Sequence, residues 1–245
     1  MDYSVIPLLS IFGVGAGFVS GFFGVGGGMI LIPMLLFANF DMKQAVSISI
    51  IQMIFSSLFG SFLNFKQNKK ILHEGLILGA GGFIGGLSSG IIISTLSKDT
   101  LQYMFVSIVL IAIYKVSTIS IKNKKKRHLS LSLKLIPIGF FAGIIAMSIG
   151  VGGTVILTPI LAGYLHYNFS LGLFFVMFSS MAGFLSLSIL GNMLYIEGFI
   201  VGISSLLGVY LGIYLKSIIH IKSYKFYILG LYNIILILMI IKIYQ

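Results

Sequence analysis

Apolar stretches of two lengths alternate with short polar joints along this chain. Long stretches of roughly 20 residues are enough to cross the hydrocarbon core of a bilayer as helices. We predict such helices at residues 5–23, 45–65, 75–96, 101–121, 135–149, 171–190, 199–215 and 224–243. Two further pieces, 29–38 and 155–165, are only half that length. The pattern predicts an all-α, polytopic membrane protein of about eight apolar helices plus two half-length segments.

A glycine cluster precedes each half-length piece. The first cluster holds Gly24, Gly26, Gly27 and Gly28, and the second holds Gly150, Gly152, Gly153 and Thr154. Glycine is unfavourable inside a helix and adopts positive φ without strain. We therefore predict helices broken inside the membrane, with half-helices starting at Met29 and Val155 and with positive φ at Gly27 and Gly153.

The two halves of the chain match in order. An offset of 126 places Gly13, Gly17, Gly24, Gly26, Gly27 and Pro33 on Gly139, Gly143, Gly150, Gly152, Gly153 and Pro159. An offset of 123 places Phe55, Ser56, Ser57, Gly60, Glu74 and Gly79 on Phe178, Ser179, Ser180, Gly183, Glu197 and Gly202. This predicts two homologous membrane repeats, 1–121 and 135–245, joined by a basic cytoplasmic linker at 122–134. Paired interrupted segments of this kind point to a transporter binding site.

The positions of the basic residues favour inverted repeats. If each broken element is a hairpin that returns to its starting side, 13 of the 16 Lys and Arg residues share one face, and only Lys43, Lys98 and Lys242 lie opposite. If each element crosses the membrane once, the repeats are parallel and the split is 11 to 5. Because cytoplasmic loops carry the excess of Lys and Arg, we prefer the hairpins, with both termini outside.

Composition agrees with a membrane protein. The chain is 58% hydrophobic and 9% charged, against roughly 25% charged in soluble domains. The net charge of +11 comes from loops between apolar spans, so no nucleic-acid partner is expected. Residues 1–3 lack a basic n-region, and we expect the first apolar segment to be mature protein. The expected location is the cell membrane, as a multi-pass protein.

Residues for catalysis or metal binding are sparse. The chain has no cysteine, and its four histidines lie near predicted loop ends, where no two share metal-ligand spacing on one helix and no cluster of carboxylates accompanies them. We expect no metal, no cofactor and no enzymatic activity. Asp41 and Asp99 lie at joints and are interpreted as turn or capping groups.

The twin Gly-x-Gly-Gly-Gly/Thr segments, each followed by a proline, resemble those of the TauE/SafE sulfite exporter family, the toluene-sulfonate uptake permeases. The glutamate-glycine pairs that open glycine-rich helices, at Glu74 and Glu197, are similar too. The resemblance extends through both repeats and implies a secondary transporter of small organosulfur or other small anions.

The glycine breaks are the main candidate binding site. A helix start leaves N–H groups without intrahelical partners, and the helix dipole favours an anion there. The predicted substrate-binding residues are Gly24, Gly26, Gly27, Gly28, Gly150, Gly152, Gly153, Thr154, Gln52, Ser56 and Ser179. The alternative is that the glycines serve only close helix packing.

Small polar residues share one face of the long helix that follows each half-length piece. The first face holds Ser49, Gln52, Ser56 and Gly60, and the second holds Gly172, Ser179, Gly183 and Ser186. They form either the wall of a polar path or a set of interhelical hydrogen bonds. Gln52 is the best single candidate, because its amide is costly to expose to lipid.

Two roles are possible for the carboxylates of Glu74 and Glu197. One is proton coupling; the favoured one is a carboxylate in the first turn of a helix, where the dipole stabilises it. Glycines 79, 81, 82, 85, 86 and 90 are interpreted as packing residues.

The leading functional hypothesis is a secondary transporter that holds a small anion at mid-membrane and alternates access. The rivals are a membrane scaffold without transport and a channel-like anion facilitator. The expected partners are the anionic substrate, the lipid bilayer and a second copy in a homodimer.

Overall fold

A computed structural model describes residues 5–65, 72–118, 132–157, 169–218 and 224–245. Every regular element within these ranges is a helix. In chain order they are α1 (Val5–Phe23), α2 (Gly28–Phe37), α3 (Met42–Phe65), α4 (Leu72–Gly86), α5 (Ser89–Thr95), α6 (Lys98–Thr118), α7 (Ser132–Ser148), α8 (Phe169–Ile189), α9 (Tyr195–Ile218) and α10 (Tyr224–Ile243). Another helix begins at residues 154–157. Seven described segments are long and apolar enough to cross a membrane, so the all-α, multi-pass prediction is confirmed.

Both glycine breaks end a helix where the sequence predicts. The first helix ends at Phe23, and α2 begins at Gly28, one residue before the predicted start. In the second half, α7 ends at Ser148 and helical structure resumes at Thr154, again one residue early. The continuation of this half-helix beyond residue 157, including Pro159, lies outside the described residues.

The predicted helix at 75–96 is wrong in one respect, because it is interrupted between α4 and α5. The Ser186 hydroxyl on α8 reaches this interruption, donating to the Leu87 carbonyl at 2.6 Å and accepting from the Gly90 N–H at 3.1 Å. A side chain inserted into the helical ladder is a common cause of a kink. Ser186 therefore supports the bend between α4 and α5.

Helices α1 and α9 run in the same direction at very close range. A Cβ placed on Gly13 would lie 2.5 Å from the Val201 carbonyl oxygen, and one on Gly21 would lie 3.0 Å from Val209 Cα. Between them, a Cβ on Gly17 would lie 2.8 Å from the Ser205 carbonyl carbon. Contacts that advance by four residues on both helices require parallel axes.

Three joints lie together at one end of the bundle, which we call the joint face: residues 38–41, 95–98 and 190–194. Asp41 Oδ2 is 2.9 Å from Lys98 Nζ, and the Lys43 ammonium donates to the Ser94 carbonyl at 3.2 Å. The Leu194 N–H donates to Ser47 Oγ at 3.4 Å. Helices α3, α6 and α9 therefore begin at the joint face, and α5 and α8 end there.

Asp41 also begins α3. Its Oδ1 accepts the Gln44 N–H at 3.0 Å, and its own N–H donates to Gln44 Oε1 at 2.9 Å, a reciprocal cap. Burial raises the pKa of Asp41, but the Lys98 ion pair and these backbone bonds outweigh it and hold the pKa below its usual value. The capping prediction for Asp41 is confirmed, and Asp99 lies in the first turn of α6.

The first broken element is a hairpin. Because α9 begins at the joint face and α1 runs parallel to it, α1 also begins there. Helix α2 ends at the same face, where Lys242 lies 5.8 Å from the centre of the Phe37 ring. The chain thus enters from the joint face, turns at residues 24–27 and returns.

The second half begins at the opposite end of the bundle, which we call the far face. Helix α4 runs from the far face toward the joint face, because α3 ends at the far face. Helix α7 is parallel to α4: a Cβ on Gly85 would meet the Phe140 backbone, and one on Gly81, four residues earlier, would meet Ile136. Both α7 and α8 therefore begin at the far face.

Helices that correspond in the two halves make equivalent contacts across the halves. Helix α1 packs on α9 and α7 packs on α4, while α3 packs on α8 and α6 packs on α10. Two inverted copies would produce this pattern. The duplication, the division at 1–121 and 135–245, and the linker at 122–134 stay predictions, and most of that linker lies outside the described residues.

The membrane orientation is testable with single introduced cysteines, because the chain has none of its own. We expect a membrane-impermeant maleimide added to intact cells to label Val5→Cys and Asn39→Cys at the joint face, and to spare Ser217→Cys at the far face. The physical reason is the excess of Lys and Arg predicted at the far face, which marks the cytoplasm. Labelling of Val5→Cys and Asn39→Cys from opposite sides would contradict the hairpin.

Candidate functional site

The two glycine breaks meet in the interior of the bundle. A Cβ placed on Gly26 would lie 2.8 Å from Gly152 Cα, and one on Gly152 would meet the Val25 carbonyl. A Cβ on Gly28 would meet the Gly150 carbonyl. All eight predicted break residues, 24, 26–28, 150 and 152–154, are buried. The starts of the two half-helices therefore converge, and side chains are excluded from the place where they touch.

The two breaks have different backbone conformations. In the first, φ is +70° at Gly24, +86° at Gly26 and +69° at Gly27. In the second, only Gly150 has positive φ, at +65°. The positive φ predicted for Gly27 is confirmed, and the one predicted for Gly153 is wrong. The positive φ of the second turn is at Gly150 instead. At Gly153 the glycine is required because a Cβ would collide with the Phe175 ring.

Several backbone N–H groups at the breaks have no acceptor. The N–H groups of Gly24 and Gly28 donate to the carbonyls of Ser20 at 2.8 Å and Gly26 at 2.7 Å. Across the described ranges, no acceptor is bonded to the N–H groups of Gly26, Gly27 and Met29, nor to those of Gly152 and Gly153. Buried N–H groups are rarely left unpaired in proteins, so this cluster is suited to donate hydrogen bonds to a ligand with several acceptor oxygens.

Gln52 lies against the first break. A Cβ on Gly27 would lie 2.8 Å from Gln52 Nε2 and 3.0 Å from Oε1. The side chain is completely buried, and neither amide atom has a hydrogen-bond partner among the described residues. Gln52 is ten residues into α3, which has 24 residues, so at about 1.5 Å per residue it lies near the middle of the helix. The best single candidate from the sequence is therefore located at the first turn.

Phe175 occupies the corresponding place at the second break, and the sequence analysis missed it. A Cβ on Gly153 would lie 2.9 Å from Phe175 Cζ, and one on Gly82 of α4 would lie 3.1 Å from the same atom. The ring is fully buried between these two glycines. The signal was available, because the offset of 123 that aligns Ser56 with Ser179 also aligns Gln52 with Phe175.

A hydroxyl group on α3 lies between the two breaks and bonds to the second one. Ser49 Oγ donates to the Gly150 carbonyl at 2.8 Å, which bonds α3 directly to the second turn. A Cβ on Gly28 would meet both of these oxygens, so glycine is required there. At the aligned positions of the second half, the larger and the smaller residue change places. Thr154 corresponds to Gly28, and Gly172 corresponds to Ser49. Thr154 Oγ1 lies 3.5 Å from the Gly152 carbonyl.

Ser56 and Ser179 are buried but bonded within their own helices. Ser56 Oγ donates to the Met53 carbonyl at 3.4 Å, and Ser179 Oγ donates to the Phe175 carbonyl at 2.8 Å. Such bonds are local, and neither hydroxyl is left unpaired toward the breaks. A role of either residue in binding stays a prediction.

In the described ranges, charged groups lie away from the breaks. The lysines of the described ranges are in the first or last turns of helices, and Glu197 is in the first turn of α9, as the helix-start reading predicts. The backbone of Glu74 is in the first turn of α4, but its side chain is outside the described set. Among described residues, no group of three His, Cys, Asp or Glu could hold a metal. A ligand at the breaks would therefore meet neutral donors.

Comparison of the chain with known protein families gives a match over most of its length. The family described as sulfite exporter TauE/SafE matches residues 9–243. The chain belongs to the TauE/SafE sulfite exporter family. The resemblance inferred from the glycine segments is confirmed, and the family name indicates a multi-pass membrane transporter rather than an enzyme.

Curated relatives of the TauE/SafE chain carry similar names. It is 25% identical to the probable membrane transporter protein YdhB of Bacillus subtilis over 142 residues, 56% of this chain and 58% of that protein. It is 53% identical to the probable membrane transporter protein MJ0441 of Methanocaldococcus jannaschii over 38 residues, 16% of this chain and 14% of that protein. Each match spans less than two thirds of the relative. No solved structure matches the chain.

Proposed function

We propose that this protein is a secondary transporter that binds a small anion where the two glycine breaks meet. The observation that carries the proposal is the Gln52 amide, completely buried and unpaired beside Gly27. A buried polar group without a partner costs about 1–3 kcal/mol. A ligand that accepts hydrogen bonds from this amide and from the neighbouring N–H groups would remove that cost.

The charge balance at the breaks favours an anion. The half-helices present their N-terminal ends, which carry partial positive charge. The C-terminal ends of α1 and α7 also reach this place, but the Gly24 N–H caps the Ser20 carbonyl, and the Val151 N–H caps the Ala146 carbonyl at 2.9 Å. These two acceptors are occupied, while donors remain free. Neutral donors bind an oxoanion without requiring a buried lysine or arginine.

The arrangement of the halves supports alternating access. Helices α1 and α7, which lead into the two breaks, enter from opposite faces, so the site is bounded by elements of both halves. A movement of one half against the other would open it to either side in turn. The family name makes sulfite the first anion to test, together with sulfonates and carboxylates.

Purified protein in liposomes tests the transporter against its rivals. We expect saturable uptake of at least one small anion from a panel of sulfite, short sulfonates and carboxylates. Flux that rises linearly with concentration would indicate a channel-like facilitator. Absence of flux and of binding across the panel would contradict the proposal and favour a membrane scaffold.

Gln52→Leu gives a sharper test of the site. We expect anion affinity to fall about tenfold or more, because hydrogen bonds to charged groups contribute roughly 1.5–3 kcal/mol. The melting temperature should stay equal or rise, since leucine fills similar space and removes an unpaired amide. Isothermal titration and thermal unfolding of detergent-solubilised protein measure both quantities.

Ser57→Ala is the matched control, because Ser57 is buried on the same helix and its hydroxyl bonds only to the Ile54 carbonyl at 3.3 Å. Its affinity should stay within about twofold of the unsubstituted protein. If Gln52→Leu lowers stability but leaves affinity unchanged, the amide serves helix packing and the proposed site is wrong.

A further inference from the structure

The two halves of the candidate site differ in polarity at corresponding positions. Gln52 on α3 corresponds to Phe175 on α8, and Ser20 on α1 corresponds to Ala146 on α7. All four side chains are completely buried. In the described part of the chain, the polar atoms of Gln52 and Ser20 have no hydrogen-bond partners. At these two pairs of positions, the unpaired polar groups thus belong to the first half and their counterparts are apolar.

The first break is lined by these polar groups. Gln52 lies beside Gly27, and the Ala16 carbonyl would be 2.7 Å from a Cβ on the same glycine. Ser20 is one helical turn beyond Ala16, on the same face of α1. A group that accepts hydrogen bonds at Gly27 would therefore have the Gln52 amide, the free N–H groups and the Ser20 hydroxyl available as donors.

The second break packs against an aromatic ring at Gly153. The Phe175 ring lies between Gly153 and Gly82, and both glycines are needed because a Cβ on either would collide with it. Val176, the next residue, has both methyl groups 3.5 Å from a Cβ placed on Gly26. We call the donors around Gly27 the polar wall, and the ring with these methyl groups the apolar wall.

We propose that the ligand binds in a single orientation, with its anionic head at Gly27 and Gln52 and an apolar substituent against Phe175. The chemical class that fits is a small organic oxoanion with one acidic group and a compact hydrocarbon end, such as a short alkanesulfonate. Phe175 is then a specificity-determining residue. This inference rests on the proposed anion site and adds to it the direction in which the ligand lies.

The two walls predict different effects of substitution on two probe anions, ethanesulfonate and sulfate. Both present oxygens to the polar wall, but only ethanesulfonate has a hydrocarbon end. Gln52→Leu should weaken both by about tenfold or more, because it removes the shared contact. Phe175→Met should weaken ethanesulfonate by about three- to tenfold and leave sulfate within about twofold, because it removes part of the apolar contact only.

Phe175→Gln provides a variant with an expected gain. An amide in place of the ring adds a donor to the second wall, so the ratio of sulfate to ethanesulfonate affinity should rise by about tenfold or more. Affinities are measured by isothermal titration on monodisperse, detergent-solubilised full-length protein. The methionine variant, which stays apolar and flexible, keeps the test valid if the glutamine variant does not fold.

The outcomes separate this inference from the proposed function. If neither probe nor any other panel anion binds the unsubstituted protein, the proposed anion site fails and the orientation fails with it. If anions bind but Phe175→Met changes both probe affinities by the same factor, the site stands and the single orientation is overturned. A change in the ratio in the stated direction supports it.

Discussion

Gly27→Val is expected to abolish anion binding while the protein still inserts in the membrane. Gly27 has φ +69°, a conformation that costs a residue with a Cβ roughly 1–2 kcal/mol. The new Cβ would lie 2.7 Å from the Ala16 carbonyl and 2.8 Å from Gln52 Nε2. Valine would therefore displace the amide and fill the space proposed for the anion. We expect affinity to fall by roughly a hundredfold or more, measured by isothermal titration on monodisperse protein.

Gly191→Val separates backbone strain from obstruction of the site. Gly191 has φ +70°, nearly the value at Gly27, but a Cβ there would meet no atom within 4 Å. It lies in the joint between α8 and α9, outside the breaks. We expect a modest loss of stability and an affinity within about twofold of the unsubstituted protein. Unchanged affinity in folded Gly27→Val would mean that the breaks are structural and that binding occurs elsewhere along the Gln52 face.

Gly153→Val is expected to differ from Gly27→Val, although the sequence treats the two positions alike. At Gly153 the backbone is not left-handed, and the obstacle is the Phe175 ring. A larger side chain there would have to displace a buried ring, so stability and expression should fall before affinity does. The aligned glycines therefore have different physical roles.

The helices and the breaks were predictable from the sequence, because their causes are local. A run of glycines cannot sustain a helix, and the predicted ends at Phe23 and Ser148 or Ile149 agree with the structure to within one residue. The hairpin was favoured by the charges on the loops, which depend on the order of segments and not on tertiary contacts. Gln52 was singled out because an amide in an apolar span needs a partner or a function.

The features that were missed depend on contacts between distant segments. The interruption between α4 and α5 is supported by Ser186, 96 residues from Gly90 along the chain. The Phe175 ring is held by Gly153 and by Gly82, on elements that no periodic pattern relates to it. The second turn packs through Gly152 against Val25 and Gly26, a contact between segments more than 100 residues apart. A hydrophobic pattern indicates which residues are buried, but it does not indicate which distant residues they pack against.

The α1–α9 contact shows the same limit among glycines of a single helix. Gly15 and Gly17 look equivalent in the sequence, two residues apart in an apolar segment. A Cβ on Gly15 would meet only Met34 Cε at 4.0 Å, an ordinary contact. A Cβ on Gly17 would lie 2.8 Å from both the carbonyl carbon and the Cα of Ser205. Only Gly17 lies where the two backbones touch.

Gly17→Ala is therefore expected to destabilise the protein strongly. The atoms that the new methyl group meets belong to the backbone of α9, so relief requires the two helices to separate. Their contact extends over Gly13 and Gly21 on α1 and over Gly208 and Gly212 on α9, all of which would meet backbone atoms with a Cβ. Overpacking costs about 1–3 kcal/mol, which corresponds to a melting temperature lower by roughly 2–12 °C.

Gly15→Ala on the same helix is the control. Alanine is the better helix former by about 1 kcal/mol, and the contact at Met34 tolerates a methyl group, so the melting temperature should be unchanged or higher. Thermal unfolding of the two variants in one detergent gives the comparison. Equal losses in both would mean that α1 and α9 are not in backbone contact, and would remove the parallel pairing from which the hairpin was deduced. A loss confined to Gly17→Ala supports that pairing and, through it, the entry of α1 from the joint face.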